Sequence, residues 1–356
     1  MTAISEEAQR LRDRFTALGG QVVEADVLLS AETLLDLYGE DIRARAYLTT
    51  DPLQGEMVLR PDFTVPVVQM HMESHADPAR YTYAGRVFRK QEADARRANE
   101  YVQVGYEVFD GAAPAAADAE VFAAVADALA GLPVRAATGD IGILMAAVRG
   151  LRTSEDRKAA LMRHLWRPQR FKALLKRFGG ISPVPASRAK LLAATDPFAD
   201  AGPEIGLRRR SEVAARIAAL RADAALAPIS GEELALIDAL LQINETAPFA
   251  LSALRDIAVD MPAITQAVDR FAARLDALGQ RGFDVDRLPF EGSYGRTSLE
   301  YYDGFVFGFY ATDANLPPVA TGGRYDALTL QLGQGRAAPA VGAVIRPDLV
   351  LELRAC

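Results

Sequence analysis

The sequence predicts an α+β fold with a mixed, mostly antiparallel sheet split in two by a helical block. Two observations carry this. Strand-like runs occur in residues 1–150 and return in 288–356, while Ser154 to Leu275 keeps helical periodicity nearly throughout. Two of those runs, Tyr101 to Phe109 and Leu299 to Tyr310, also place glycines and polar groups on one face of the strand. An order of sheet, helices, sheet means segregated rather than alternating elements. The expected organisation is a core's first part at 1–150, a mostly helical insertion at 151–287, and the core's second part at 288–356.

Each element has a local reason. Ser5 to Leu18 reads as an amphipathic helix with Ser5 as its N-cap, ended by Gly19-Gly20. Gln21 to Leu29 is apolar and β-branched enough for a strand, and Ala31 to Tyr38 reads as a helix. Glu56 to Leu59 is a short strand, closed at Arg60 because Pro61 restricts the residue before it to extended geometry. Thr64 to Glu73 is helical. Arg80 to Arg89 is the first arm of a hairpin, Lys90 to Glu100 its charged loop, and Tyr101 to Phe109 its second arm. A connection this long points to a functional loop rather than a tight turn. Asp118 to Ala130 is an alanine-rich helix, and Arg135 to Ile141 a strand leading into another. The insertion is broken at Gly179-Gly180, Pro183, Pro185, Pro197, Gly202-Pro203, Pro228 and Pro262. Beyond it, Leu299 to Tyr310 is an aromatic strand with Tyr302, Gly304, Val306 and Gly308 on one face. Ala320 to Asp326 reads as a turn feeding a helix, Ala340 to Ile345 as the last strand, and Pro347 to Leu353 as a short terminal helix.

Composition excludes several classes. Half of the 356 residues are apolar and 24% are charged, which suits a globular chain with a sizeable core. A net charge of -7 disfavours tight binding to nucleic acid, which relies on Lys and Arg to neutralise phosphates. No signal-peptide pattern opens the chain, and no apolar run approaches the length of a membrane span, so a cytoplasmic location is expected. Cys356 is the one cysteine, which rules out an intrachain disulfide. His71 and His75 have helical spacing but lack an HExxH setting, so a helix face is expected there and no metal site. No cofactor is expected.

The second hairpin arm carries the chemistry. Val102, Val104, Tyr106 and Val108 form an apolar face, and Gln103, Gly105 and Glu107 the opposite one. An amide and a carboxylate flank a glycine that leaves room for something to lie on the strand. Such a face suits a small ligand with an amine and a second nitrogen.

Four segments in this order (LRPDFT, then YAGRVFRKQE with YVQVGYEVFD, then SLEYYDGFVF, then TGGRYDAL) resemble the catalytic core of histidyl-tRNA synthetase. The resemblance spans about residues 1–350 and implies a class II aminoacyl-tRNA synthetase fold with flanking helices, and a self-dimer. It also implies a histidine pocket. By position, Asp62, Thr64 and Gln103 serve the amino group, Glu107 and one of Tyr301 and Tyr302 face the imidazole, and Tyr325 lines the wall. Arg89 matches a hairpin arginine that touches phosphate and carboxylate, and Arg97 a second one in the loop, a remnant of a phosphate or ATP site. The chemistry agrees, since an ammonium wants a carboxylate or amide oxygen and an imidazole wants a partner at each nitrogen.

The departures redirect the functional reading. Thr297 stands where the synthetases carry an activating arginine, with Arg296 one residue earlier and on the opposite face of an extended segment. Leu349 follows Asp348 where a late ATP-binding arginine is expected, with Arg346 nearby but displaced. Asp26 stands where the first class II motif has a proline, and no anticodon-binding domain is expected after the core. Loss of a cation aimed at developing charge costs orders of magnitude in rate. A synthetase core so altered resembles the regulatory-subunit family of ATP phosphoribosyltransferase. That resemblance implies a non-catalytic partner of the short-form catalytic subunit, in a hetero-oligomer, often a hetero-octamer, that reports L-histidine to the first step of histidine biosynthesis. The alternatives are a truncated synthetase-like enzyme that activates histidine, and an interaction protein with a vestigial pocket.

Overall fold

Alternation and helix-ending signals set the elements, and the order of strands in the sheet sets where a ligand can lie. The computed structural model describes residues 2–32, 46–74, 76–90, 98–199, 201–296, 301–313 and 315–355. The strands are β1 (Gln21–Val22), β2 (Leu28–Ser30), β3 (Leu48–Asp51), β4 (Gly55–Leu59), β5 (Ala79–Phe88), β6 (Glu100–Phe109), β7 (Val134–Asp140), β8 (Asn244–Thr246), β9 (Pro289–Glu291), β10 (Phe305–Ala311), β11 (Ala320–Arg324) and β12 (Ala340–Ile345). The helices are α1 (Ala3–Ala17), α2 (Thr64–Ser74), α3 (Pro114–Ala128), α4 (Ile141–Gly150), α5 (Glu155–Arg163), α6 (Pro168–Phe178), α7 (Ala186–Ala193), α8 (Arg210–Ala225), α9 (Gly231–Gln242), α10 (Ala247–Asp260), α11 (Thr265–Gln280), α12 (Asp326–Leu332) and α13 (Pro347–Ala355). None is long and apolar enough to cross a membrane among the described residues.

The main sheet runs β1-β5-β6-β12-β11-β10-β7-β9-β8, and β2-β4-β3 form a small second one. Among the described residues, β1 with β5 and β7 with β9 pair in parallel and the other neighbours are antiparallel. Strands from before and after the helical segment therefore share one sheet, and the segment itself supplies the edge strand β8.

One face of this sheet packs on α1 and α3. Tyr106 points that way, stacked 5.1 Å from Phe15 of α1, and its hydroxyl donates to Glu120 of α3 at 2.7 Å. Phe122 of α3 meets Phe305, Phe307 and Phe309 of β10. A buried ionic chain ties α11 to this layer. Arg274 of α11 donates to Asp118 at 3.1 Å and to Asp140 at 2.8 Å, and Arg324 of β11 reaches Asp118 from the other side at 2.8 Å. Buried charges are tolerated when paired this fully.

The elements differ from the sequence expectation in several places. Thr2, not Ser5, caps α1, its hydroxyl accepting from the Ser5 backbone N–H at 3.3 Å. The strand expected over Gln21 to Leu29 splits into β1 and β2, which belong to different sheets. The segment Ala320 to Arg324 is an interior strand, not a turn, because rings pack against Gly322 and Gly323 in place of side chains. The aromatic strand starts at Phe305, so Tyr302 and Gly304 precede it. Residues 33–45, which carry most of the helix expected at Ala31 to Tyr38, lie outside the described residues.

Candidate functional site

The other face of the sheet, over β6, β12, β11 and β10, floors a cavity of 780 Å³, within the usual range for small-ligand sites. Glu107, Gly342, Gly323 and Val306 are cross-strand partners in one row, so they share this face. Glycines in that row admit large groups from elsewhere. A Cβ on Gly342 would lie 1.4 Å from Glu107 Oε2, and one on Gly323 would lie 2.7 Å from the Tyr302 ring. The floor is hollow because its own side chains are missing, and Glu107 and Tyr302 occupy the gaps.

Glu107 is 1% exposed and sits at the centre. Its Oε1 accepts from the Tyr83 hydroxyl at 2.6 Å and from Thr64 Oγ1 at 3.4 Å, and its Oε2 accepts from the Tyr325 hydroxyl at 2.6 Å. Tyr301 continues the chain by donating to Thr64 Oγ1 at 3.3 Å. Burial pushes the Glu107 carboxyl up to about 7, against the pull of the phenol hydrogen bonds. Burial and the adjacent carboxylate hold the Tyr83 and Tyr325 phenols well above their ordinary range, so both remain donors.

Asp62 and Gln103 supply acceptors. Asp62 is buried, and burial raises its pKa while Arg89 opposes the rise. It also accepts from the Val65 backbone N–H at 3.5 Å, which supports the start of α2. Gln103 is 3% exposed, yet its Oε1 has no hydrogen-bond partner among the described residues. A buried amide oxygen facing a cavity is costly until a donor meets it. An ammonium group fits that position. Arg89 lines the same cavity and donates from Nε to the Pro61 carbonyl at 2.7 Å.

All eight residues singled out for a ligand, Asp62, Thr64, Arg89, Gln103, Glu107, Tyr301, Tyr302 and Tyr325, therefore line one cavity. Arg97 and Thr297 lie outside the described residues. Arg296 points away from the cavity, into the helical segment, where Nε donates to the Leu165 carbonyl at 2.9 Å and the guanidinium covers Phe171. Leu349 is a buried apolar residue. His71 is buried against Phe109, with ring centroids 3.7 Å apart, and its partner at metal spacing, His75, is outside the described residues. Among the described residues no group of three or more metal-ligating side chains occurs.

Four further residues contribute that the sequence pattern did not assign to the site. Arg346, read as displaced, lines the cavity with its guanidinium 4.0 Å from the Tyr101 ring centroid and 3.1 Å from Asp348. Tyr294 and Tyr310, which also line the cavity, form a hydroxyl pair 2.9 Å apart. Tyr83 fills the space beside Gly105, where a Cβ would come within 2.1 Å of its ring. That room was expected to receive a ligand, and a tyrosine of the neighbouring strand takes it instead. Only the pairing of Tyr83 with Gly105 across the hairpin reveals this.

A family model described as histidyl-tRNA synthetase matches residues 1–195 and 207–350. The ATP phosphoribosyltransferase regulatory subunit of Brucella ovis is 31% identical over 376 residues, covering 96% of both chains. That of Allorhizobium ampelinum is 32% identical over 378 residues, covering 98% of this chain and 97% of its own. The chain belongs to this regulatory-subunit family. Its fold is that of the class II synthetase core. A solved ATP phosphoribosyltransferase regulatory subunit/histidyl-tRNA synthetase from Bacillus halodurans C superposes with a TM-score of 0.69 at 22% identity, covering 99% of this chain and 79% of that one. A histidyl-tRNA synthetase from Nostoc superposes with a TM-score of 0.63 at 16% identity, covering 99% and 71%. The residues that line the cavity all fall within the segments matched by the synthetase model.

Proposed function

We propose that this chain is the non-catalytic regulatory subunit of ATP phosphoribosyltransferase, and that its cavity binds L-histidine. On this reading it activates the short catalytic subunit, which combines ATP with phosphoribosyl pyrophosphate in the cytoplasm, and carries the feedback signal. The assembly is a hetero-oligomer, a hetero-octamer built on dimers of this chain.

The observation that carries the reading is the pairing of acceptors in one cavity. Gln103 Oε1 is buried without a partner among the described residues and Asp62 is buried in the same cavity, which suits an ammonium group. Glu107 is held by two phenols and by Thr64, which leaves an acceptor position on Oε2 for an imidazole N–H. Activation chemistry is disfavoured because Arg296 faces away and Leu349 is an apolar core residue. Feedback follows by linkage, since histidine shifts the assembly only through its differential affinity for two states. Calorimetry should give micromolar histidine binding, on the order of 7–8 kcal/mol. Absence of binding overturns the sensor assignment.

One observation favours a second reading, in which the chain still activates histidine. Arg89, Lys90 and Arg346 share the cavity and would hold phosphate, with Arg97 as a further candidate. Histidine-dependent exchange of pyrophosphate into ATP decides between the two.

A further inference from the structure

Glu107 is useful to a ligand only if its carboxylate is fixed and offers acceptors. The residue that secures this is not among the residues expected to touch a ligand. Tyr83 lies on β5 directly across from Gly105, and its ring covers that glycine. Its hydroxyl donates to Glu107 Oε1 at 2.6 Å. Its ring is stacked on Phe63 at 4.3 Å between centroids, and the Arg60 guanidinium covers Phe63 at 4.1 Å. Arg60 is in turn anchored to the Ala25 and Arg86 carbonyls. A continuous stack thus braces the carboxylate from β5 and from the segment just ahead of α2.

We propose that Tyr83 is the positioning residue that fixes Glu107 as an acceptor-only carboxylate, so that the cavity selects a ligand presenting an N–H donor at that point. The proposal rests on the reading of Glu107 as the imidazole partner. Two phenols donating to one carboxylate favour its anionic form; protonation of Glu107 would weaken the bond to the oxygen that carries the proton. The groups facing Glu107 are Thr64 on α2, Tyr83 on β5, Tyr325 ahead of α12, and Asp62 and Tyr302 close by, with Arg89 acting on the last two. Of these, Asp62 opposes the anion, while the hydrogen bonds of Tyr325, Tyr83 and Thr64 favour it against burial.

The test is Tyr83→Phe, which keeps the ring over Gly105 and removes only the donor. Histidine affinity is measured by calorimetry across pH for wild type, Tyr83→Phe, Glu107→Gln and the double variant; histidine's own titration is common to all four. At pH 7 Tyr83→Phe should bind about tenfold more weakly, and the pH below which affinity is lost should rise by about one unit. In the Glu107→Gln background the same change should have little further effect. Gly105→Ala, which drives the ring out by overlap, should reproduce the loss. An unmoved pH midpoint, or an equal effect of Tyr83→Phe with and without Glu107, overturns the proposal alone. Wild-type affinity in Glu107→Gln overturns it together with the assignment of Glu107.

Discussion

Gly342→Ala is the smallest change that should disable the cavity. The added Cβ would lie 1.4 Å from Glu107 Oε2 and 2.4 Å from Cδ. Ordinary carbon–oxygen contact needs about 3.5 Å, so the carboxylate must retreat by about 2 Å. That retreat breaks its 2.6 Å bonds from Tyr83 and Tyr325, or forces β12 away from β6. Hydrogen bonds to a charged group are worth about 1.5–3 kcal/mol each, and overpacking a core costs about 1–3 kcal/mol. Partial relaxation reduces the sum, leaving an expected loss of about 2–4 kcal/mol in stability by urea denaturation. Histidine affinity should fall by at least about tenfold. Gly279→Ala on α11 is the control. A Cβ there meets nothing within 4 Å, so that variant should be neutral or gain up to about 1 kcal/mol. A Gly342→Ala protein with wild-type stability and affinity would refute the placement of Glu107.

Three other outcomes follow from the same geometry. Arg274→Met strands Asp140 without its cation, leaves Asp118 with Arg324 alone, and should cost about 3–5 kcal/mol in urea denaturation. Arg296→Met should lower stability, because it removes the bond to Leu165, while leaving histidine affinity intact; a large loss of affinity would mean that this arginine reaches the ligand. Burial raises Glu107 and Asp303 to about 7, the latter helped by Asp326, so the folded state holds more protons than the unfolded one between their ordinary values and about 7. Their contribution to stability therefore falls as pH rises through that window and is flat above it. Urea midpoints of wild type and Glu107→Gln measured from pH 5 to 8 should diverge in that direction.

Much of the site was legible before any coordinates because it is local. Gln103 and Glu107 are two steps of two apart on one strand, so alternation alone puts them together. Their companions on other segments were legible only through motif order. Register was not legible, and register decides what a glycine admits. Gly105 looked like room for a ligand, but the hairpin pairs it with Tyr83. Gly322-Gly323 looked like chain reversal, yet the Phe307 and Tyr302 rings fill those positions in an interior strand. Arg346 looked displaced because ungapped alignment counts residues, whereas its side chain lies back over Tyr101 and still reaches the cavity.

The most direct measurement mixes this chain with a short-form ATP phosphoribosyltransferase catalytic subunit and follows phosphoribosyl transfer with and without histidine. The account predicts activation on mixing, inhibition by histidine, and loss of that inhibition in Glu107→Gln. No activation at any ratio, or inhibition that Glu107→Gln leaves unchanged, would contradict it.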